Sequence, residues 1–312
     1  MGESSIGAGD MRIDFIKYIA ALILFGTNGV VASAIALSSP QITLGRTALA
    51  SCVMLLCLVM GRALNGRGQV AEGEPTTARD YGFVTASGAC MAVSWILQYY
   101  AFSLLGVSVT SLIYCLGPLL VAVLSPVLFK ETLSVRKVLC FMVVIGGVVL
   151  VNSAHVDSGI DSVGLGCSLG CALAYAAMII FNKQSRNIGG VTNSAIQLSA
   201  AFAATGLFCL FTGSFPFALD DRSFEALVLL GVMNTGIGCY LYFSSLGALR
   251  AQTVAICDYI EPLTALLFST AFLGERLASF QLLGAAVIVL GVLGSETWAN
   301  RKRADCSCKP SV

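Results

Sequence analysis

The sequence predicts an all-α integral membrane protein: ten transmembrane helices arranged as two inverted five-helix repeats, with both termini in the cytoplasm. Three observations carry the prediction. They are an apolar composition, ten apolar stretches of spanning length and a faint internal duplication. Hydrophobic residues make up 57% of the 312 positions and charged residues 11%, with a mean hydropathy of +0.86. Soluble domains carry about 25% charged residues, and a chain with so few cannot clothe a water-facing surface in polar groups. That balance excludes a cytosolic enzyme, a secreted disulfide scaffold and a disordered chain. A net charge of +1 leaves no basic field to recruit nucleic acid.

A helix crosses a bilayer with about 20 predominantly apolar residues. The stretches run over 15–37, 41–60, 81–104, 107–129, 136–153, 164–182, 192–213, 223–247, 251–273 and 278–298. Continuous apolarity over such lengths predicts helices, because barrel strands alternate over about ten residues. Arg12 and Lys17 before Ala32-Ser33-Ala34 have a signal-peptide outline, but apolarity continues to Leu37, too far for an ordinary leader. With the N-terminus inside, fifteen Lys and Arg fall in inner segments and two, Arg222 and Arg276, in outer ones, with Arg46 inside the second span. That asymmetry supports the orientation and an even number of spans in a multi-pass cytoplasmic (plasma) membrane protein.

The twelve cysteines hold no C-x-x-C pair, and ten of them sit in apolar runs as packing residues. His155 is the single histidine and lies in a polar linker, so a His-based metal site or a Ser-His-Asp triad is not expected, nor is a cofactor. The Cys306-Ser307-Cys308 tail is a weak candidate for acylation or a soft metal. Gly164-x-Gly166-x-x-x-Gly170 has dinucleotide-loop spacing but opens an apolar span, where Gly166 and Gly170 are expected to serve close helix packing. Arg301-Lys302-Arg303, directly after the last span, reads as a topology anchor that meets anionic lipid.

Shifted by 144 residues, Pro118 falls on Pro262, Ser125 on Ser269, Glu131 on Glu275 and Gly147-Val148 on Gly291-Val292, among nine identities between 107–151 and 251–295. Prolines and glutamates are scarce in or beside spans, so their coincidence outweighs the apolar matches. Each half holds five spans, an odd number, so the second copy enters the membrane upside down. Inverted repeats can exchange conformations around a central site.

The fourth-span Pro118, then Phe129-Lys130-Glu131-Thr132-Leu133 and Gly146-Gly147, resembles the EamA repeat of the drug/metabolite transporter superfamily. So does Tyr259-Ile260-Glu261-Pro262-Leu263 followed by Phe272-Leu273-Gly274-Glu275-Arg276-Leu277. Phe25-Gly26-Thr27-Asn28 is similar to the family's Trp-Gly-x-Asn, with Phe for Trp, and Arg46 stands where members often carry an arginine. The resemblance implies two repeats, here 15–153 and 164–298, and a central cavity lined by spans 1, 3, 4, 6, 8 and 9. Spans 5 and 10 would be peripheral. It also implies movement of small metabolites, often exported amino acids.

Ionisable residues within spans cost about 2.5–3.5 kcal/mol on insertion scales. Asp258 and Glu261 are three apart and share a helix face. Two ionised carboxylates there repel, which suits proton coupling or a clamp for a substrate amine. Alternatively, Glu261 serves the backbone freed by Pro262 or pairs with Arg46. Arg46 is open to three roles: holding a substrate carboxylate, snorkelling to the outer interface, or pairing with an acid. Glu131 and Glu275 read as interfacial contacts. The uncharged candidates are Asn28, Trp95, Gln98, Tyr99, Tyr114, Tyr175, Asn234, Tyr240 and Tyr242. Their aromatic faces and amides suit a small zwitterion or aromatic metabolite, or else plain helix packing. The expected function is therefore a non-enzymatic transporter that exports a small organic metabolite by alternating access. Its partners would be the bilayer, the solute, protons and a second copy of the chain. The alternatives are a receptor or scaffold without flux and, more remotely, an intramembrane transferase.

Overall fold

The computed structural model describes residues 8–64, 76–114, 116–130, 135–152, 161–185, 187–215, 219–273, 279–280, 282–291 and 294. These form α1 (Ala8–Gly26), α2 (Asn28–Ala32), α3 (Ser39–Leu64), α4 (Ala78–Tyr114), α5 (Leu116–Phe129), α6 (Val135–Asn152), α7 (Ser162–Gln184) and α8 (Gly190–Thr212). Then come α9 (Asp221–Leu229), a π-helical stretch (Leu230–Ile237), α10 (Gly238–Leu246), α11 (Ala251–Cys257), α12 (Ile260–Leu273) and α13 (Leu282–Gly291). The described residues contain no strand.

Six helical stretches are long and apolar enough to cross a membrane: Met11–Ala32, Ser39–Gly61, Ser162–Gln184, Gly190–Thr212, Asp221–Leu246 and Ala251–Phe272. Each falls within a few residues of an expected span. Shorter apolar helices cover Leu116–Phe129, Val138–Gly147 and Leu282–Gly291. Outward-facing side chains are apolar, as hydrocarbon demands: Phe211 is 83% exposed and Leu290 67%. Glu131, Glu275, His155, Arg301-Lys302-Arg303 and Cys306-Ser307-Cys308 lie outside the described residues, as does the Tyr99 side chain.

One expected boundary is displaced. Spans 81–104 and 107–129 were to be separated at 105–106, but α4 continues through Tyr114. Gly106 is the sole breaker there and costs about 1 kcal/mol, too little to end a helix. The matching place in the second half carries Gly247-Ala248-Leu249-Arg250 and does turn.

Helix directions follow from the residues that meet. Ser87 and Ser94 of α4 donate to the Met178 and Cys171 carbonyls of α7 at 2.7 and 3.1 Å, so these helices are antiparallel. The pair α1 and α10 is likewise antiparallel: Tyr18 stacks on Tyr242 at 5.0 Å, while a Cβ on Gly238 would touch Phe25. Corresponding helices of the two halves also oppose one another. Gly147 of α6 faces Gly284 of α13 while Gly291 faces Val144, and Pro40 and Leu44 of α3 meet Cys209 and Gly206 of α8. The antiparallel contact of α1 with α10 between the halves thus has its counterpart in that of α7 with α4.

Close approach of α7 to α4 uses Gly164 and Gly170, where a Cβ would lie 2.7 Å from Leu105 and 3.1 Å from Leu97. Gly166 faces open space, which corrects the expected Gly166–Gly170 pair. The buried stripe of α7 runs through Gly164, Ser168, Cys171 and Tyr175, and Gly166 is on the opposite side.

Candidate functional site

Four features of the helices, two prolines and two irregular stretches, bring polar groups to one place. Pro262 is the third residue of α12 and Pro118 the third of α5. Each ring lacks an N–H and clashes with the carbonyl four residues back. In the second half that carbonyl belongs to Asp258, so the chain turns at Asp258-Tyr259 between α11 and α12. The carbonyl instead accepts the Glu261 N–H at 3.2 Å. The matched position in the first half is Tyr114, the last described residue of α4.

The third is the break at Thr27, between α1 and α2. Gly26 precedes it because a Cβ there would come within 2.9 Å of the Ala265 nitrogen, so α1 lies backbone-close to α12. The fourth is the π-helical stretch, whose looser coil turns Asn234 onto the Thr27 break. The Asn234 amide donates to the Leu24 carbonyl at 3.1 Å, Thr27 Oγ1 at 2.6 Å and Asn28 Oδ1 at 3.0 Å. Single-turn π irregularities inside α-helices are frequent at functional sites.

Between these features lies a cavity of about 430 Å³. Asn28, Trp95, Gln98, Tyr114, Tyr175, Tyr242, Asp258 and Glu261 all line it, with Arg46, Met91 and Met178. Asn234 is buried behind the wall as a clamp, and Tyr240 is half-buried away from the lining. Among the described residues, none of α6 or α13 lines the cavity. Arg46 brings a second-span helix into it, an addition to the expected set of spans.

Asp258 is 6% exposed. Tyr18 Oη donates to its Oδ1 and Tyr175 Oη to its Oδ2. Tyr242 completes the cluster, its hydroxyl 3.3 Å from that of Tyr175. A carboxyl group so placed has both oxygens served, which is how a buried acid escapes the full cost of desolvation. Glu261 is half-buried on the same wall.

Arg46 does not snorkel: it is 4% exposed. Among the described residues it forms no ion pair. Its Nε donates to Thr235 Oγ1 at 2.8 Å, and its guanidinium sits 4.5 Å from the centre of the Trp95 ring. A planar cation over an indole face, with N–H groups left toward the cavity, is suited to a planar anion. The lining thus carries two acids from the α11–α12 turn, a guanidinium from α3 and several aromatic rings.

Sequence reasoning did not mark Tyr18 or the lining residues Met91 and Met178, and it named the lining residues Phe25 and Tyr259 only within motifs of the resemblance, not as site residues. Tyr18 is apolar-span furniture until the fold brings Asp258 to it. Met91 and Met178 carry no polar signal, although methionines at a cavity wall adapt to varied ligands.

The EamA-like transporter family matches twice, over residues 15–153 and 162–296. An uncharacterized transporter of Bacillus subtilis (strain 168), YxxF, is 24% identical over 293 residues, 93% of this chain and 91% of that protein. Protein PecM of Dickeya dadantii (strain 3937) is 22% identical over 207 residues, 64% of this chain and 67% of its own. A solved crystal structure superposes with a TM-score of 0.74 at 18% identity, covering 93% of this chain and 98% of the other. That likeness concerns the fold, and with the paired match and the interrupted helices around one cavity it places this chain in the EamA-like transporter family.

Proposed function

We propose that the protein is an exporter of a small organic metabolite such as an amino acid. In this reading ten spans cross the cytoplasmic (plasma) membrane, in halves 15–153 and 164–298, with both termini inside. The halves rock about the cavity and expose it first to one side and then to the other. Asn28, Trp95, Gln98, Tyr99, Tyr114, Tyr175, Asn234, Tyr242, Asp258 and Glu261 form or support the binding site. Asp258 and Glu261 are the groups through which protons couple.

The observation that carries the reading is the presence, in the lining of one cavity, of Glu261 and Asp258 from the α11–α12 turn and the Arg46 guanidinium from α3. A solute with an ammonium and a carboxylate engages both kinds of charge, and the rings of the lining accept its apolar part. Only a ligand that binds the folded form raises stability. A melting screen of amino acids, polyamines and nucleosides on the detergent-solubilised protein is therefore the first test. Zwitterionic amino acids are expected to raise the melting temperature and to cross vesicles containing the reconstituted protein. Stabilisation by none of them, with no flux, would remove the reading.

A further inference from the structure

The cavity has two unlike ends. At one stand Gly29 and Ala32 of α2, the former exposed and the latter half-buried. At the other stands the hydrogen-bonded cluster of Asp258, directly after α11, with Tyr175 and Tyr242. There α11 is buried along all seven residues, and Leu246 and Leu249 before it are buried as well. Two halves with reversed but equivalent contacts would build equal closures on both sides. Among the matched positions at which the halves differ, one pair stands beside α11: Asp258 in the second half and Tyr114 in the first.

The consequence lies in what each of the pair grips. Asp258 takes a hydroxyl from Tyr18 of α1 and another from Tyr175 of α7, the leading long helices of the two halves. Tyr114 offers Tyr175 a ring edge, with centroids 5.1 Å apart. Polar ties group the other helices about the same two. Asn234 and Arg46 bind the π-helical stretch to α1 and α3. On the other side, Ser87, Asn182, Asn193 and Gln197 bind α4, α7 and α8 together. The two groups also meet where Gln41 of α3 donates to the Ser214 carbonyl just after α8 at 3.2 Å, where Ser194 of α8 donates to the Cys239 carbonyl of α10 at 3.4 Å, and where Lys183 of α7 donates to the Leu246 and Leu249 carbonyls before α11. Each group is tied to move as a unit, and Asp258 is bonded to both.

We propose that Asp258 is a latch: by accepting hydrogen bonds from Tyr18 and Tyr175 it holds α1 and α7 together on the α11 side, so that the cavity at rest is accessible from the α2 side. The proposal rests on the carrier reading of the same cavity and adds the residue that sets its resting side. A solute reaches the α11 side only after one of the two Asp258 bonds gives way together with the hold of Lys183 on the Leu246 and Leu249 carbonyls. Tyr18 is outside the cavity lining, so its role is positioning, through Asp258.

Cys257, fully buried beside the latch, is a natural reporter. In a chain that keeps Cys257 and has its other cysteines replaced, maleimide labelling reads access from the α11 side. In a cysteine-less chain, Ala32→Cys reads access from the α2 side. Tyr18→Phe removes one hydroxyl and keeps the ring. It is expected to raise Cys257 labelling roughly five- to tenfold, the equilibrium factor of a single hydrogen bond, and to lower labelling at Ala32→Cys. Tyr175→Phe should act in the same direction. Unchanged labelling at both reporters, or a rise at both, would overturn the latch, because a loosened structure opens on both sides and a latch exchanges one opening for the other. The labelling pattern reads the latch independently of flux. Reciprocal labelling without flux of any solute would leave the latch standing and remove the carrier reading.

Discussion

At the scale of single residues, the site is built from groups that membranes penalise. A carboxyl group and a guanidinium in an apolar surround persist only where partners are supplied, and the partners here are hydroxyls and a ring. For Asp258 they are Tyr18 and Tyr175; for Arg46 they are Thr235 and Trp95. Two predictions belong here. Arg46→Lys keeps the charge but loses the flat face over Trp95 and the Nε bond, so solute affinity should fall by about 1–2 kcal/mol, roughly five- to thirtyfold. Isothermal binding on the solubilised protein measures it, and an unchanged affinity would take Arg46 out of the site. Asp258→Asn and Glu261→Gln remove one titrating group each. Uptake into vesicles under an imposed pH gradient should lose part or all of its gradient dependence in at least one of them, and full retention in both would end the coupling idea. The identity of these residues was legible in advance, because ionisable groups stand out in apolar runs. Tyr18 was not, since a tyrosine near a span end reads equally well as an interfacial anchor.

At the scale of elements, glycines and prolines decide where helices approach and where they stop. A Cβ on Gly88 would lie 2.3 Å from the Gln197 carbonyl oxygen, so α4 and α8 touch through backbone there. Gly82, six residues earlier in α4, faces open space. Gly88→Ala should destabilise the protein by about 1–3 kcal/mol, while Gly82→Ala should be neutral or stabilising by up to about 1 kcal/mol. Melting of the two variants side by side checks this, and equal melting temperatures would show that α4 and α8 are not packed so closely. Pro262→Ala restores the missing N–H and removes the clash with the Asp258 carbonyl. It is expected to let α11 run into α12, to swing Asp258 off Tyr18 and Tyr175, and to abolish ligand-induced stabilisation while the helical circular dichroism holds or rises. The paired prolines were visible in the sequence, and so was the pairing of Asp258 with Tyr114. The π-helical stretch was not. Leu230–Ile237 has ordinary helix formers and two glycines, and nothing in such a run announces an extra residue per turn.

For the whole molecule, the prediction is topological. If fifteen of the positive charges mark the inner face, cysteines placed in the 65–75 segment and in the C-terminal tail should label from the same side as one near Arg12, and one at Arg222 from the other. Labelling of all four from one side would break both the orientation and the even count of spans. The apolar medium and the span positions were open to reading from the chain because each is a sum over a local property, apolarity per window. The grip on Asp258 was decided by tertiary structure alone. Its two partners lie 240 and 83 residues away in sequence, and hydrogen bonds form between atoms that share a place. Residue types announce that such bonds are needed; only the packing of α1 and α7 against the α11–α12 turn settles which hydroxyls make them.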